Sequence, residues 1–210
     1  MKRILLLGAN GQLGSELRRS LAPLGEIVAA TRSGRVDDTE CEAADFADPQ
    51  SLQPLVERVA PDIVVNAAAH TAVDRAEQER DLAFAINAEA PEVLARACAA
   101  RDARLVHYST DYVFDGRGTR PYREDDPTSP LGVYGHSKRA GELAVLGGSA
   151  RHLLFRTVDR GMGGGVDHDV RRDPLDQGLQ GLRVGEIGSL AFRVVDAARQ
   201  RRGDDLAQRH

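Results

Sequence analysis

The sequence has no tryptophan, two cysteines, two methionines, four tyrosines and five phenylalanines in 210 residues. Cys41 and Cys98 are too few and too far apart for a disulfide framework or a CxxC metal or redox motif, and both read as packing residues. Long apolar runs are absent as well. The opening Met1-Lys2-Arg3-Ile4-Leu5-Leu6-Leu7 is cut short by Gly8, and no stretch approaches the roughly 20 residues that cross a bilayer. A cytoplasmic location with no membrane partner is therefore expected. Charge of one sign is not in excess either: 28 basic and 32 acidic residues leave a net charge of −4, well mixed along the chain, with no electrostatic footprint of nucleic-acid binding. The most informative scarcity is that of lysine. Lys2 and Lys138 are the only two, the other basic residues being arginine. A lone internal lysine in an arginine-rich chain directs attention to chemistry that a guanidinium performs poorly.

What is present is an ordinary globular composition, 41% hydrophobic and 29% charged, long enough for one well-cored domain or one domain and a small appendage. Strand-like and helix-like segments alternate over the first 157 residues, which predicts an α/β fold with a doubly wound, Rossmann-like parallel sheet. Strands are expected at Arg3–Leu7, Glu26–Ala30, Asp62–Asn66, Arg104–Ser109 and His152–Arg156, with a weak one at Cys41–Ala44. Gln12–Leu21 carries Leu13, Leu17 and Leu21 at i, i+4 and i+8 and reads as a helix. Further helices are expected at Ser51–Val59, at Arg80–Ala100 with a break or restart at Pro91, and at Tyr134–Leu146. The Gly-, Pro- and Asp-rich stretch Asp115–Pro130 reads as a surface loop. Residues 1–157 are thus expected to form one Rossmann-like domain, and 158–210 an atypical tail. The tail holds nine of the 21 glycines; Arg160–Asp173 lacks periodicity and predicts little order, and only Ser189–Arg202 has the apolar content of an amphipathic helix.

Gly8-Ala9-Asn10-Gly11-Gln12-Leu13-Gly14 directly follows the first strand and opens the first helix. Such a turn needs glycine where φ is unusual, where backbone meets a pyrophosphate and where helix crosses strand, and the helix N-terminus offers free N–H groups to an anion. A tight βα turn without a ligand is the plainer alternative. The second strand ends in Thr31-Arg32-Ser33, with no carboxylate for ribose hydroxyls and with a guanidinium able to meet a 2′-phosphate, so NADPH is preferred over NADH. A solvated loop arginine is the competing reading of Arg32.

Tyr134 and Lys138 lie four residues apart, hence on one helix face. An ammonium beside a phenol favours phenolate and would lower a pKa that is about 10 when unperturbed, which suits proton transfer to a carbonyl oxygen. This spacing alone decorates many wet helix faces; joined to the upstream glycine turn it becomes specific. Thr110 ends the strand that starts near Arg104, where ligands bind in open α/β sheets, and is a natural second donor to a carbonyl; capping the following turn is its plainer role.

With these residues in place the sequence resembles the extended short-chain dehydrogenase/reductase family and, within it, the dTDP-4-dehydrorhamnose reductases. The likeness also includes Asp45-Phe46, Asn66-Ala67-Ala68-Ala69-His70-Thr71-Ala72-Val73-Asp74, His107-Tyr108-Ser109-Thr110-Asp111-Tyr112-Val113-Phe114 and Leu154-Phe155-Arg156-Thr157, and spans residues 2–157. The resemblance implies reduction of the 4-keto group of a dTDP-linked keto sugar, dTDP-6-deoxy-L-lyxo-4-hexulose, to dTDP-L-rhamnose. It implies that Gly11, Gln12 and Leu13, within the turn bounded by Gly8 and Gly14, border the pyrophosphate of NADPH. Asp45 and Phe46 would border the adenine, and Ala67, Ala68 and Ala69 would line the cofactor. Tyr134 would donate the proton, Lys138 would hold the nicotinamide ribose, and Thr110 with Asp111 would meet the sugar. Such enzymes often pair as homodimers and some use magnesium, for which the sequence itself supplies no metal-ligating pattern.

The likeness stops at Thr157. The family continues with Ser-Trp-Val-Tyr and a long substrate-binding region, whereas Val158-Asp159-Arg160-Gly161-Met162-Gly163 follows here. A shifted reading frame in a GC-rich gene would produce such a tail, and another frame after codon 157 should then encode the missing segment. NADPH binding is expected to survive and reductase turnover to be weak or absent, since ligand pockets often form between domains. Two other readings stand beside this one: a non-catalytic nucleotide-binding regulatory subunit similar to the methionine adenosyltransferase beta subunit, and a sugar-nucleotide epimerase or dehydratase. Retention of Thr110, Tyr134 and Lys138 argues against the first, and Arg32 without a strand-end acid against the second.

Overall fold

The computed structural model describes residues 1–157 apart from 121, 124 and 150. The expectations for the tail, including the unordered Arg160–Asp173 and the helix at Ser189–Arg202, lie outside the described residues, as does the division of the chain at 157. In chain order the elements are β1 (Lys2–Leu7), α1 (Gln12–Leu21), β2 (Gly25–Thr31), β3 (Arg35–Val36), β4 (Thr39–Glu40), β5 (Glu42–Ala43), α2 (Leu52–Val59), β6 (Ile63–Asn66), α3 (Val73–Gln78), α4 (Arg80–Phe84), α5 (Ala90–Ala100), β7 (Arg104–Thr110), α6 (Val133–Gly148) and β8 (His152–Thr157).

Six strands form one sheet in the order β5-β2-β1-β6-β7-β8, and every pairing in it is parallel. This is the doubly wound, Rossmann-like fold that the alternation predicts. Buried on both faces, the strands need no polar alternation, and β1 shows the result: Ile4, Leu5, Leu6 and Leu7 are at most 1% exposed. Leu5 and Leu7 pack with Val64 and Leu105 against α2 and α5 through Leu52, Leu55, Val56, Val93 and Leu94. Ile4 and Leu6 point to the opposite face, where Leu17 and Leu21 of α1 meet Ile63, Val65 and Val106.

Three features depart from the sequence expectation. The helix foreseen over Arg80–Ala100 is α4 and α5 joined by a π-helical turn at Ala85–Glu89. The distortion precedes Pro91 because a proline ring clashes with the carbonyl four residues back, here that of Asn87. α3 was not foreseen, since its six residues bury only Ala76 and carry no apolar period. The two-residue strands β3 and β4 pair antiparallel around Asp37 and Asp38, both at positive φ, 46° and 62°, a conformation that aspartate tolerates and tight hairpins favour. The weak strand expected at Cys41–Ala44 is present as β5, shortened to its two middle residues. No helix among the described residues is long and apolar enough to cross a membrane.

Candidate active site

The strand order reverses between β1 and β6: the chain runs outward through β2 and β5, then returns to the other side of β1. A crevice at such a switch point, outside the carboxyl ends of the strands, is where open α/β sheets bind ligands. The turn from β1 to α1 occupies it, and its three glycines have separate reasons to be glycine. Gly8 adopts φ +75°, and a Cβ there would lie 2.7 Å from the Ala68 backbone nitrogen. Gly14 is where α1 crosses the strand end, with a Cβ destined to lie 2.1 Å from the Gly8 carbonyl oxygen. Gly11 starts α1 in extended conformation and supplies no side-chain cap, so Gln12, Leu13 and Gly14 open the helix with N–H groups that have no partner within it. Ala67, Ala68 and Ala69 lie half-buried beside this turn. The Ala67 N–H donates to the Leu7 carbonyl at 3.1 Å, and the Ala68 N–H to Asn66 Oδ1, also at 3.1 Å.

Tyr134, Thr110, Asp111 and Lys138 converge at the neighbouring strand ends. Tyr134 enters in the first turn of α6, is 8% exposed, and packs edge-on to Tyr112 with centroids 5.4 Å apart. Gly135 allows the approach, since a Cβ there would fall 2.3 Å from the Tyr112 carbonyl oxygen. Burial raises the Tyr134 phenol above its ordinary pKa, opposed by a hydrogen bond with Thr110 and reinforced by the charge of Asp111. The direction is opposite to that expected from a neighbouring ammonium. Lys138 is 2% exposed and its Nζ donates to the Tyr108 carbonyl at 2.6 Å, so the ammonium is engaged with the strand and burial decides the phenol. The phenol therefore stays protonated through the neutral range. Thr110 fills the capping role, its Oγ1 accepting from the Tyr112 N–H at 3.2 Å, and its hydroxyl donates to Asp111 Oδ1 at 3.2 Å.

Burial lowers the Lys138 pKa to about 8, against the opposing charge of Glu142. Glu142 is itself fully enclosed, joined to Arg156 of β8 by two bonds of 2.8 Å and to Arg139 at 3.0 Å. Behind Lys138, His107 is buried and held well below its ordinary pKa by desolvation and the Lys138 charge. Its Nδ1 lies 3.1 Å from Asn66 Nδ2. Because Asn66 Oδ1 already accepts from Ala68, the amide NH2 is the donor and Nδ1 the acceptor. A second polar bracket ties the segment after β6 to α6. Asn87 accepts from the His70 N–H at 2.9 Å, donates to the His70 carbonyl at 3.1 Å and donates to Ser137 Oγ at 3.0 Å.

The remaining anticipated residues are farther from this cluster in kind. Arg32 is exposed just past β2 and Asp45 is exposed past β5. Phe46 is 6% exposed and belongs to the core. Sequence reasoning missed Glu77, Asn87, His107 and Glu142 as parts of the arrangement. Only Glu142 had a usable signal, its position one turn beyond Lys138 on the same helix face. Among the described residues no group of three His, Cys, Asp or Glu side chains could hold a metal ion.

The sequence model of the family described as the RmlD substrate binding domain matches residues 1–159. The chain is 49% identical over 154 residues to the dTDP-4-dehydrorhamnose reductase of Salmonella typhimurium, covering 73% of this chain and 50% of that protein. It is 50% identical over 156 residues to the Burkholderia thailandensis protein of the same name, covering 74% of this chain and 49% of the relative. Among solved structures, the dTDP-4-dehydrorhamnose reductase of Bacillus anthracis in complex with NADP superposes with a TM-score of 0.67 at 36% identity, over 75% of this chain and 53% of that one. The chain thus spans about half the length of the curated relatives it matches. On the strength of the family match and of these identities, the chain belongs to the RmlD substrate binding domain family.

Proposed function

We propose that residues 1–157 supply the NADPH-binding and proton-donating half of a dTDP-4-dehydrorhamnose reductase. One observation above all supports the reading: Tyr134, buried and held in its protonated form, stands in the first turn of α6 beside Thr110 and Asp111 at the end of β7, on the same sheet as the glycine turn. The relatives named as reductases, and one of them in complex with NADP, support it further and do not favour the regulatory-subunit alternative.

The residues fit the cofactor. A Cβ on Gly8 or Gly14 would strike the backbone of Ala68 or of Gly8 itself, so glycine there lets the turn close tightly, and the open N-terminus of α1 that follows would receive a pyrophosphate. Gly11, Gln12 and Leu13 would hold that group, with Ala67, Ala68 and Ala69 as the facing wall and Asp45 and Phe46 toward the adenine. Arg32 would take a 2′-phosphate by charge, and the compact ammonium of Lys138 would hold ribose hydroxyls. When bound, NADPH supplies the hydride. Thr110 and Asp111 orient the keto sugar, and Tyr134 gives its phenolic proton to the carbonyl oxygen as charge develops there.

Because the family's pattern gives way after Thr157 to Val158-Asp159-Arg160-Gly161, we propose that turnover of the nucleotide sugar is weak while cofactor binding persists. The assay is NADPH oxidation with the dTDP-linked keto sugar, beside Tyr134→Phe. General acid catalysis contributes about 10²- to 10⁴-fold, so whatever turnover is present should fall by that factor in the variant with NADPH affinity held. Brisk turnover by the unaltered chain would refute the weakness, and turnover unaffected by Tyr134→Phe would refute the role of the phenol.

A further inference from the structure

We infer that Glu77 is the positioning residue for Tyr134: its carboxylate, reaching across from α3, replaces a local cap at the start of α6 and fixes the turn that carries the phenol. The importance of this for catalysis rests on the reductase reading; the contact itself rests on geometry alone.

A helix begins with N–H groups that have no acceptor within it, and a side chain at the cap position normally serves one of them. α6 has Gly132 at that position, in extended conformation with φ −119° and ψ 169°, and no side-chain cap of its own. The Val133 N–H instead donates to Glu77 Oε1 at 2.7 Å, across 56 residues of sequence. The bond is short and charge-assisted, and the negative carboxylate sits at the positive end of a 16-residue helix. Gly132 is what admits it, for a Cβ there would lie 2.8 Å from the same oxygen. Ala76, next to Glu77, is fully buried against Ala83, Val133 and Tyr134. A helix of six residues thus commits its buried side chain and one carboxylate to the first turn of α6. Glu79, two residues on, is engaged by His70 at 3.0 Å and by Arg75 at 2.8 Å, so it does not stand in for Glu77. On the far side, Gly135 packs against the Tyr112 carbonyl. The turn bearing Tyr134 is held between these two contacts, and a shift of about 1 Å in a reacting group costs roughly 100-fold in rate.

The test uses the full chain with Glu77→Ala and Glu77→Gln, and none of its primary readouts requires turnover. Amide exchange at Val133 and the phenolic-carbon NMR resonance of Tyr134, assigned by its loss in Tyr134→Phe, report the two ends of the claim. NADPH affinity and thermal unfolding are followed in parallel. In Glu77→Ala, exchange at Val133 should rise by about 10- to 100-fold, the range expected for losing a hydrogen bond to a charged group. The Tyr134 resonance should move while those of Tyr108 and Tyr122 stay in place, and NADPH affinity should change by less than about threefold. Glu77→Gln, which keeps an acceptor without the charge, should restore most of the protection and the Tyr134 signal. Unchanged exchange and an unmoved Tyr134 resonance in a folded Glu77→Ala overturn the inference, as does a loss that Glu77→Gln does not partly rescue. Should Glu77→Ala fail to fold, Glu77→Gln decides alone: exchange at Val133 faster by a few-fold supports the bond, and an unaltered rate overturns it. Absence of keto-sugar turnover in the unaltered chain would count against the reductase reading and leave these readouts intact.

Discussion

Lys138 stands out first by rarity, one of two lysines in the chain, and then by burial, with its ammonium enclosed and bonded to the Tyr108 carbonyl. Its folded pKa, about 8, lies below its ordinary 10.5. Between those values the unfolded chain still carries a proton that the folded chain has released, so this residue makes the fold more stable as pH rises; below about 8 the full cost of the buried charge, ~3 kcal/mol, is present. Lys138→Met carries no such charge. Urea unfolding of both proteins should therefore show the stability of the variant relative to the unaltered chain falling by ~2–3 kcal/mol from pH 8 to pH 10.5. A difference that is flat with pH would mean that Lys138 is not a buried cation. At this scale Tyr134, Lys138, Thr110 and the glycines were legible, because each is a residue type that its chemistry or backbone position requires. His107, Asn87 and Glu77 were not. Their partners Asn66, His70, Ser137 and Val133 lie between 17 and 56 positions away, and nothing local in sequence marks a long-range hydrogen bond.

α1 is legible end to end because glycines mark its entry and three leucines at helical spacing mark its buried face; it runs over Gln12–Leu21 as expected. α3 and the β3–β4 pair escape detection for the opposite reason, having too few residues to show a period. The π-helical turn before Pro91 has a consequence for packing. It presents the Asn87 carbonyl to α6 so closely that a Cβ on Gly141 would lie 2.0 Å from that oxygen. The two helices can meet there only backbone to backbone. Gly141→Ala should destabilise the fold by ~1–3 kcal/mol in urea unfolding, the usual cost of overpacking. It should also loosen the Asn87–Ser137 bond that braces the turn below Tyr134. A change within about 0.5 kcal/mol, the range of indifferent surface substitutions, would show that the contact yields freely.

For the molecule as a whole, alternation of apolar strands with amphipathic helices was enough to foresee a six-stranded parallel sheet, because a sheet buried on both faces leaves few other ways to satisfy the chain. The strand order that creates the crevice was not legible, because periodicity carries no information about which strands are neighbours. What unites the scales is one claim: the switch point of this sheet is a cradle for a reduced dinucleotide, with a protonated phenol beside it. The most direct test is titration of NADPH with the purified 210-residue chain, followed by nucleotide fluorescence. Saturable binding that NADP⁺ displaces, and that is weaker for NADH because Arg32 loses its 2′-phosphate, is the result this account predicts. A signal that never saturates, with NADPH recovered free at every protein concentration, would contradict it.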